Sequence, residues 1–329
     1  MLLEKTGPVS GSSLTGKDLP DPVPGPGEIS VKITACAVCR TDLHIVEGDL
    51  DLPRLPVIPG HQIVGRVVAV GNGVDRYSEG ARVGIAWLNS TCGHCRFCQS
   101  GLENLCHDAR FTGFHTDGGY AEAVIVPADF AYPVPDDIID IEAAPLLCAG
   151  IIGYRALKLS NIKSGGRLGL YGFGASAHVT IQVARHLGCE VYVFTRGSAH
   201  RKLAEDLGAV WTGGPMDRPD TELDASIIFA PAGELVLPAL ENLDRNGALI
   251  LAGIHMSPVP EMEYEKHLYY ERYIRSVTGS TRLDGEELLK MAPEIPIRTQ
   301  TQTFSLDEAN LALTLLKEGK INGAGVLVP

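Results

Sequence analysis

Long apolar runs are missing from this sequence. The most apolar stretch, AAPLLCAGIIGY, is about a dozen residues, short of the ~20 that a membrane-crossing helix needs. The opening MLLEKTGPVSGSS has no cationic segment followed by an apolar core, so no secretory leader is expected. Positive charge is also scarce. With 28 Lys and Arg against 40 Asp and Glu, the net charge is -12, which argues against a phosphate backbone or an anionic membrane surface as partner. Internal repeats and low-complexity linkers are absent too. What remains is 45% hydrophobic and 21% charged, the composition of a folded soluble protein, and 329 residues suffice for two domains with separate cores. The expectation is a cytoplasmic enzyme or binding protein, in whose reducing surroundings eight cysteines serve as thiols or metal ligands more readily than as disulfides.

The texture of the chain changes once, near residue 150. Before it, glycine, proline and short β-branched runs such as EISVKITACAV and QIVGRVVAVG predict a small all-β domain. After it, apolar strands such as GRLGLYGFG, EVYVFTR, ASIIFAP and ALILAGIH alternate with helical periodicity, which predicts an α/β domain with a doubly wound parallel sheet. The expected division is 1–149 and 150–286, with a tail, 287–329, that contributes a helix and a strand to complete the first domain.

Two motifs carry chemistry by themselves. Gly172, Gly174 and Ala177 form a G-x-G-x-x-A turn between a strand and a helix. The first glycine permits the tight turn, the second lets backbone approach a pyrophosphate, and the small residue lets helix and strand pack closely. The helix is supported by Ala177, Ile181, Ala184 and Leu187 on one face, with Gly188 as a left-handed cap. The second motif is C-x2-C-x2-C-x7-C, made of Cys92, Cys95, Cys98 and Cys106. Four thiolates complete a tetrahedral zinc shell with no open position, which makes a structural site. An iron–sulfur cluster fits less well, since the last gap is seven residues and His107 follows; disulfides or free thiols are the other readings. Cys36, Cys39, Cys148 and His61 each have a bland reading as buried thiols or a hydrogen-bonded histidine, and spacing alone does not unite them.

CRTDLH, PGHQIVGRVVAVG, the four-cysteine lobe, GGYAEAVIV and GYRAL…GRLGLYGFG, in this order, resemble the zinc-dependent alcohol dehydrogenases of the medium-chain dehydrogenase/reductase superfamily. The likeness spans essentially the whole chain. It implies a GroES-like β catalytic domain joined to a Rossmann domain, two zinc ions per chain, NAD or NADP, and a homo-oligomer, dimer or tetramer, acting on a small alcohol or aldehyde in the interdomain cleft. By the resemblance, Cys39, His61 and Cys148 are the ligands of a catalytic zinc, and Cys36 and Cys189 are packing thiols. Thr41 heads a proton relay that meets solvent at His44, Asp42 orients His61, and Arg40 reaches the cofactor pyrophosphate. Two residues depart from the family pattern. Gln62 stands where the usual motif is G-H-E, and Ile152 where many relatives carry threonine near the nicotinamide.

Cofactor choice is read at the end of the second α/β strand, where NAD-specific domains place an acidic residue about 20 positions after the glycine turn. This chain has Thr195 there and Arg196 next, with Ser198 and Arg201 further along the loop. Loss of the carboxylate removes a barrier to a 2′-phosphate, and arginine pairs with phosphate, so the expected preference is NADP(H). Arg196 stacking on adenine or facing water is the competing reading. The rival functions are an enzyme working mainly as an NADPH-dependent aldehyde reductase and a catalytically silent cofactor-binding sensor or structural protein.

Overall fold

The computed structural model describes residues 1–9, 12–321 and 323–329. The chain forms two compact units, one of Met1–Cys148, Thr281–Glu294 and Arg298–Pro329, the other of Ala149–Ser280 with Ile295–Ile297. Return to the first unit thus falls at Thr281, ahead of residue 287, because the helix Arg282–Met291 starts there and belongs to it. Thr281 caps that helix: its Oγ1 accepts the Asp284 N–H at 3.2 Å, and Asp284 Oδ2 accepts the Thr281 N–H at 2.9 Å. The Arg282 N–H then donates to the nearly buried Glu103 at 2.8 Å.

The first unit is built on an antiparallel sheet whose hub is the long strand Glu28–Val38. Gln62–Val70 and Ala123–Pro127 pair with it, as does the tail strand Ala324–Val328, itself parallel to Thr301–Ser305. Ile29, Val31, Ile33 and Ala35 share one face of the hub strand and are almost fully buried, and toward its end both faces are covered, with Cys36, Ala37 and Val38 buried in succession. Directly after this strand, Cys39 caps the helix Arg40–Glu47, which ends at Gly48 in the left-handed region (φ 82°). The register pairs Ala37 with Gln62, so His61, one residue before Gln62, lies beside the strand's exit toward Cys39.

The turn that delivers His61 is tied to a second segment by backbone hydrogen bonds. Gly118 donates to Ile58 O at 2.7 Å, Gly119 to Gly60 O at 2.9 Å and Tyr120 to Pro59 O at 2.9 Å. Gly60 has φ 99°, and a Cβ at Gly118 would fall 2.0 Å from Gly60 O and 2.8 Å from Pro59 O.

The second unit holds a six-stranded, wholly parallel sheet in the order Trp211–Gly213, Glu190–Phe194, Arg167–Tyr171, Leu223–Ile228, Leu243–Leu251, Tyr273–Ser276. Leu168, Leu170, Val191, Val193, Ile227 and Leu249 are fully buried, as expected of strands in a doubly wound sheet. The helix Ala175–His186 follows the glycine turn, buries Ala177, Ile181 and Ala184 completely, and is followed by Gly188 at φ 85°. Leu187 is 40% exposed, because the helix stops one residue before it and the chain turns away from the packed face. Among the described residues, no helix is long and apolar enough to cross a membrane.

Gly118→Ala is expected to lower stability by about 1–3 kcal/mol or more, since overpacking here meets two backbone carbonyls that cannot rotate away. Denaturant unfolding monitored in the β unit checks this; an unchanged midpoint would mean the two segments part easily.

Candidate metal and dinucleotide sites

Cys39, His61 and Cys148 arrive from three places. Cys39 comes from a helix cap, His61 from the head of a strand, and Cys148 from the end of the 3-10 turn Ala144–Leu147, whose Leu146 and Leu147 are buried. Their ligand atoms lie within 4.8 Å of one another. His61 is fully buried and its Nδ1 is 2.8 Å from Asp42 Oδ1. An ionised carboxylate only accepts, so Nδ1 carries the hydrogen and Nε2 is left to face the sulfurs. Nε2 is buried and has no hydrogen-bond partner. A buried polar atom without a partner is costly, and two sulfurs plus an imidazole nitrogen are the donor chemistry of zinc, so the residues fit that ion.

The three groups already polarise one another. Cys39 is held well below the usual thiol range, chiefly by the hydrogen bond from Cys148 and then by His61, against the effect of burial. The same hydrogen bond, with burial, pushes the Cys148 thiol well up. Burial works against charge on His61, but the Asp42 carboxylate and then Cys39 outweigh it and raise the imidazole to about 10; a metal at Nε2 would displace that second proton and leave the one that Asp42 holds on Nδ1. A thiolate is the form a metal binds, and the shift at Cys39 is toward that form.

Asp42 is the hub of this arrangement. It is fully buried; besides His61 it accepts the Cys39 N–H at 2.8 Å and the Tyr120 hydroxyl at 3.1 Å, both at Oδ2. Thr41 is 6% exposed, and its Oγ1 lies 3.6 Å from Cys39 Sγ. His44, one helical turn on, pairs through Nδ1 with Asp49 at 2.8 Å, and the Asp49 side chain is 54% exposed. Arg40, the first residue of that helix, is exposed. Gln62 is buried and its amide donates to Ala37 O at 3.2 Å, so the residue that departs from the G-H-E pattern is spent on the neighbouring strand.

Three residues of this region escape sequence reasoning: Tyr120, Asp49 and Trp87. Trp87 presents an edge-on contact to His61 (centroids 4.9 Å, 72°), stacks on Phe111 (4.9 Å, 9°) and is tilted against Phe114 at 5.9 Å. Their partners lie tens of residues away or depend on a turn, and none stands in a motif. GGYA contains Tyr120 but gives no sign that its hydroxyl points at Asp42.

The four-cysteine lobe is a separate cluster. Its thiols also lie within 4.8 Å of one another, with sulfur separations of 3.5 Å (Cys95–Cys98 and Cys92–Cys106) and 3.9 Å (Cys92–Cys98). These are far longer than a disulfide, and all eight cysteines are free. A tetrahedron with metal–sulfur bonds of about 2.3 Å spaces its sulfurs about 3.8 Å apart, so the lobe fits a fully thiolate-held zinc.

In the second unit, Gly172 has φ 85° and its N–H donates to Phe194 O at 2.8 Å, which ties the turn to the next strand. A Cβ at Gly174 would meet nothing within 4 Å, so the space before the helix N-terminus is open, while Ala177 is fully buried. Thr195 follows the strand Glu190–Phe194, is 5% exposed, and donates its N–H to Gly213 O at 2.9 Å. Arg196 is exposed; its carbonyl accepts Arg201 Nη2 at 3.1 Å, and Arg201 Nε is buried with no partner.

A β unit carrying a three-donor and a four-thiol cluster, followed by a doubly wound unit with a glycine turn, is the architecture of the medium-chain dehydrogenases and reductases. Comparison with known proteins agrees. The alcohol dehydrogenase GroES-like domain matches residues 25–136. A probable alcohol dehydrogenase, AdhA, of Mycobacterium tuberculosis is 50% identical over 99% of this chain and 96% of its own length. Among solved structures, acetophenone reductase of Geotrichum candidum in complex with NAD is 30% identical, covers 98% of this chain and 96% of its own, and superposes with a TM-score of 0.86. A zinc-binding dehydrogenase of Sinorhizobium meliloti bound to NADP is 27% identical, with 100% and 98% coverage and a TM-score of 0.88. The chain belongs to the zinc-dependent alcohol dehydrogenase family.

Asp42→Asn replaces an acceptor of three hydrogen bonds by a group that can accept at one atom only. The expected loss is about 1.5–3 kcal/mol for a hydrogen bond to a buried charge, read from denaturant unfolding of the purified protein. An unchanged midpoint would show that the carboxylate contributes nothing to holding Cys39 and His61.

Proposed function

We propose that the protein interconverts primary or secondary alcohols with the corresponding aldehydes or ketones, using a nicotinamide dinucleotide and a zinc ion held by Cys39, His61 and Cys148. The observation that carries this is the convergence of three donor atoms within 4.8 Å around a buried His61 Nε2 that has no other partner. Three protein donors leave one tetrahedral position for substrate, whereas Cys92, Cys95, Cys98 and Cys106 fill all four and hold their lobe. Zinc, when bound, supplies Lewis acidity, strong enough to bring the pKa of water from 15.7 to about 7.

The chain's own groups handle the proton. Thr41, buried beside Cys39, takes the hydrogen of the substrate hydroxyl and passes it along the helix to His44, whose partner Asp49 faces water. A bound nicotinamide dinucleotide would supply the acceptor for the hydride and its bonding electrons, which would leave one proton for this route to carry. Asp42 keeps His61 in the tautomer that offers Nε2. Arg40 and the turn at Gly172, Gly174 and Ala177 are assigned to the cofactor phosphates. The exposed Tyr264 and Tyr269 offer apolar surface that a second copy could cover, and eight free thiols suit a reducing compartment, so a cytoplasmic homo-oligomer completes the proposal.

Metal analysis by mass spectrometry should find two zinc ions per chain. Cys148→Ser should fold, retain one and lose turnover; Cys98→Ser should lose metal and stability together. Wild-type protein holding at most one zinc would count directly against the proposal.

For the cofactor, the proposal favours NADP(H). A buried Thr195 brings no negative charge to the strand end, and Arg201 Nε, beside the Arg196 backbone, lacks a partner. Arg196→Ala should cut kcat/KM for NADP(H) about 10-fold or more, the size of a hydrogen bond to a charged group, and spare NAD(H). Thr195→Asp should reverse the preference. Wild-type kcat/KM favouring NAD⁺ by about tenfold would assign Thr195 to the ribose hydroxyls instead.

A further inference from the structure

We infer that Tyr120 is a positioning residue for the Cys39–His61–Cys148 site: its hydroxyl fixes the Asp42 carboxylate, and through it the ring of His61. The inference rests on the reading that these three residues hold zinc. Asp42, His61 and Tyr120 are all 0% exposed, so no water competes for their hydrogen bonds. Asp42 Oδ1 serves His61, while Oδ2 is shared by the Cys39 N–H at 2.8 Å and the Tyr120 O–H at 3.1 Å. A carboxylate has no hydrogen to offer, so the tyrosine is the donor. The terminal torsion of an aspartate is soft, with broad rather than staggered preferences. Two donors arriving at one oxygen from different elements, a helix cap and a distant loop, fix the plane of the group, and that plane sets the direction in which His61 Nε2 points.

Tyr120 is itself held rigidly. Its N–H donates to Pro59 O at 2.9 Å, and its ring lies against the turn before His61 so closely that a Cβ at Gly60 would be 2.4 Å from ring Cδ1. The tyrosine therefore packs on the backbone that delivers His61 and bonds the carboxylate that orients it. A role in filling the core alone would need only the ring, as phenylalanine supplies.

The test is Tyr120→Phe, which keeps the ring and removes the donor. Purified wild-type and variant proteins are exposed to rising concentrations of a zinc chelator, and the remaining metal is counted. In the variant, one zinc per chain should leave at about 10-fold lower chelator, the lower end of what outer-shell changes cost, while the zinc of the four-cysteine lobe leaves as in wild type. With cobalt exchanged into the labile site, the ligand-field absorption should shift, and kcat should fall with the cofactor KM unchanged. A release curve within about twofold of wild type, or loss of both metals together, overturns the role of Tyr120. If wild-type protein holds no metal that Cys148→Ser removes, the zinc reading itself fails, a result separable from either of these.

Discussion

A carboxylate sealed from water needs donors around it, and the position of Asp42 follows from where those donors are. One is the backbone of Cys39, one the ring of His61 and one the hydroxyl of Tyr120. Burying a lone charge is expensive, and three hydrogen bonds are what offset it. Meeting that requirement draws together a helix start, a strand start and a loop more than fifty residues downstream. The helix begins where it does because Asp42 satisfies the free N–H of its cap, and the ligand atom of His61 is exposed to the sulfurs because its other nitrogen is occupied. Electrostatics and geometry here are one constraint.

How much of this was legible depends on how local the cause is. The four-cysteine lobe could be read outright, because a short loop brings Cys92, Cys95 and Cys98 together at spacings of three. The glycine turn was also local, and strand, turn and helix stand in the expected order. The Cys39–His61–Cys148 trio was different. Its members are united by a sheet register that pairs Ala37 with Gln62 and by a 3-10 turn that ends at Cys148, and nothing in the spacing encodes either; only likeness to a family joined them. Tyr120 and Trp87 were invisible for the same reason, since each acts through a contact with a residue far away in sequence. Leu187 shows the limit in the other direction: apolar periodicity placed it on the packed face, but a helix that stops at His186 carries the periodicity no further.

The two cysteine-containing clusters differ in their donor sets. In the lobe, four sulfurs converge with no other donor type among them. In the trio, two sulfurs and one nitrogen leave room, and the protein's effort goes into fixing how those three point. Neighbouring aromatic rings add to this, as Trp87 meets His61 edge-on and is backed by Phe111 and Phe114. A polar constellation is thus held against an apolar wall that keeps its orientation from drifting.

The pairing of the hub strand with the tail has a consequence for the order of events during synthesis. Cys36 lies opposite Leu327, so the first unit joins residues from both ends of the sequence into a single sheet. The second unit is, apart from Ile295–Ile297, one continuous stretch. Local contacts form early and distant ones late, and domains fold as units as they emerge. The cofactor-type unit therefore has its whole sequence available while the sheet beside Cys39 still lacks a strand. Until Ala324–Val328 is made, the hub strand presents an unpaired edge at Cys36–Val38, the stretch that leads into Cys39.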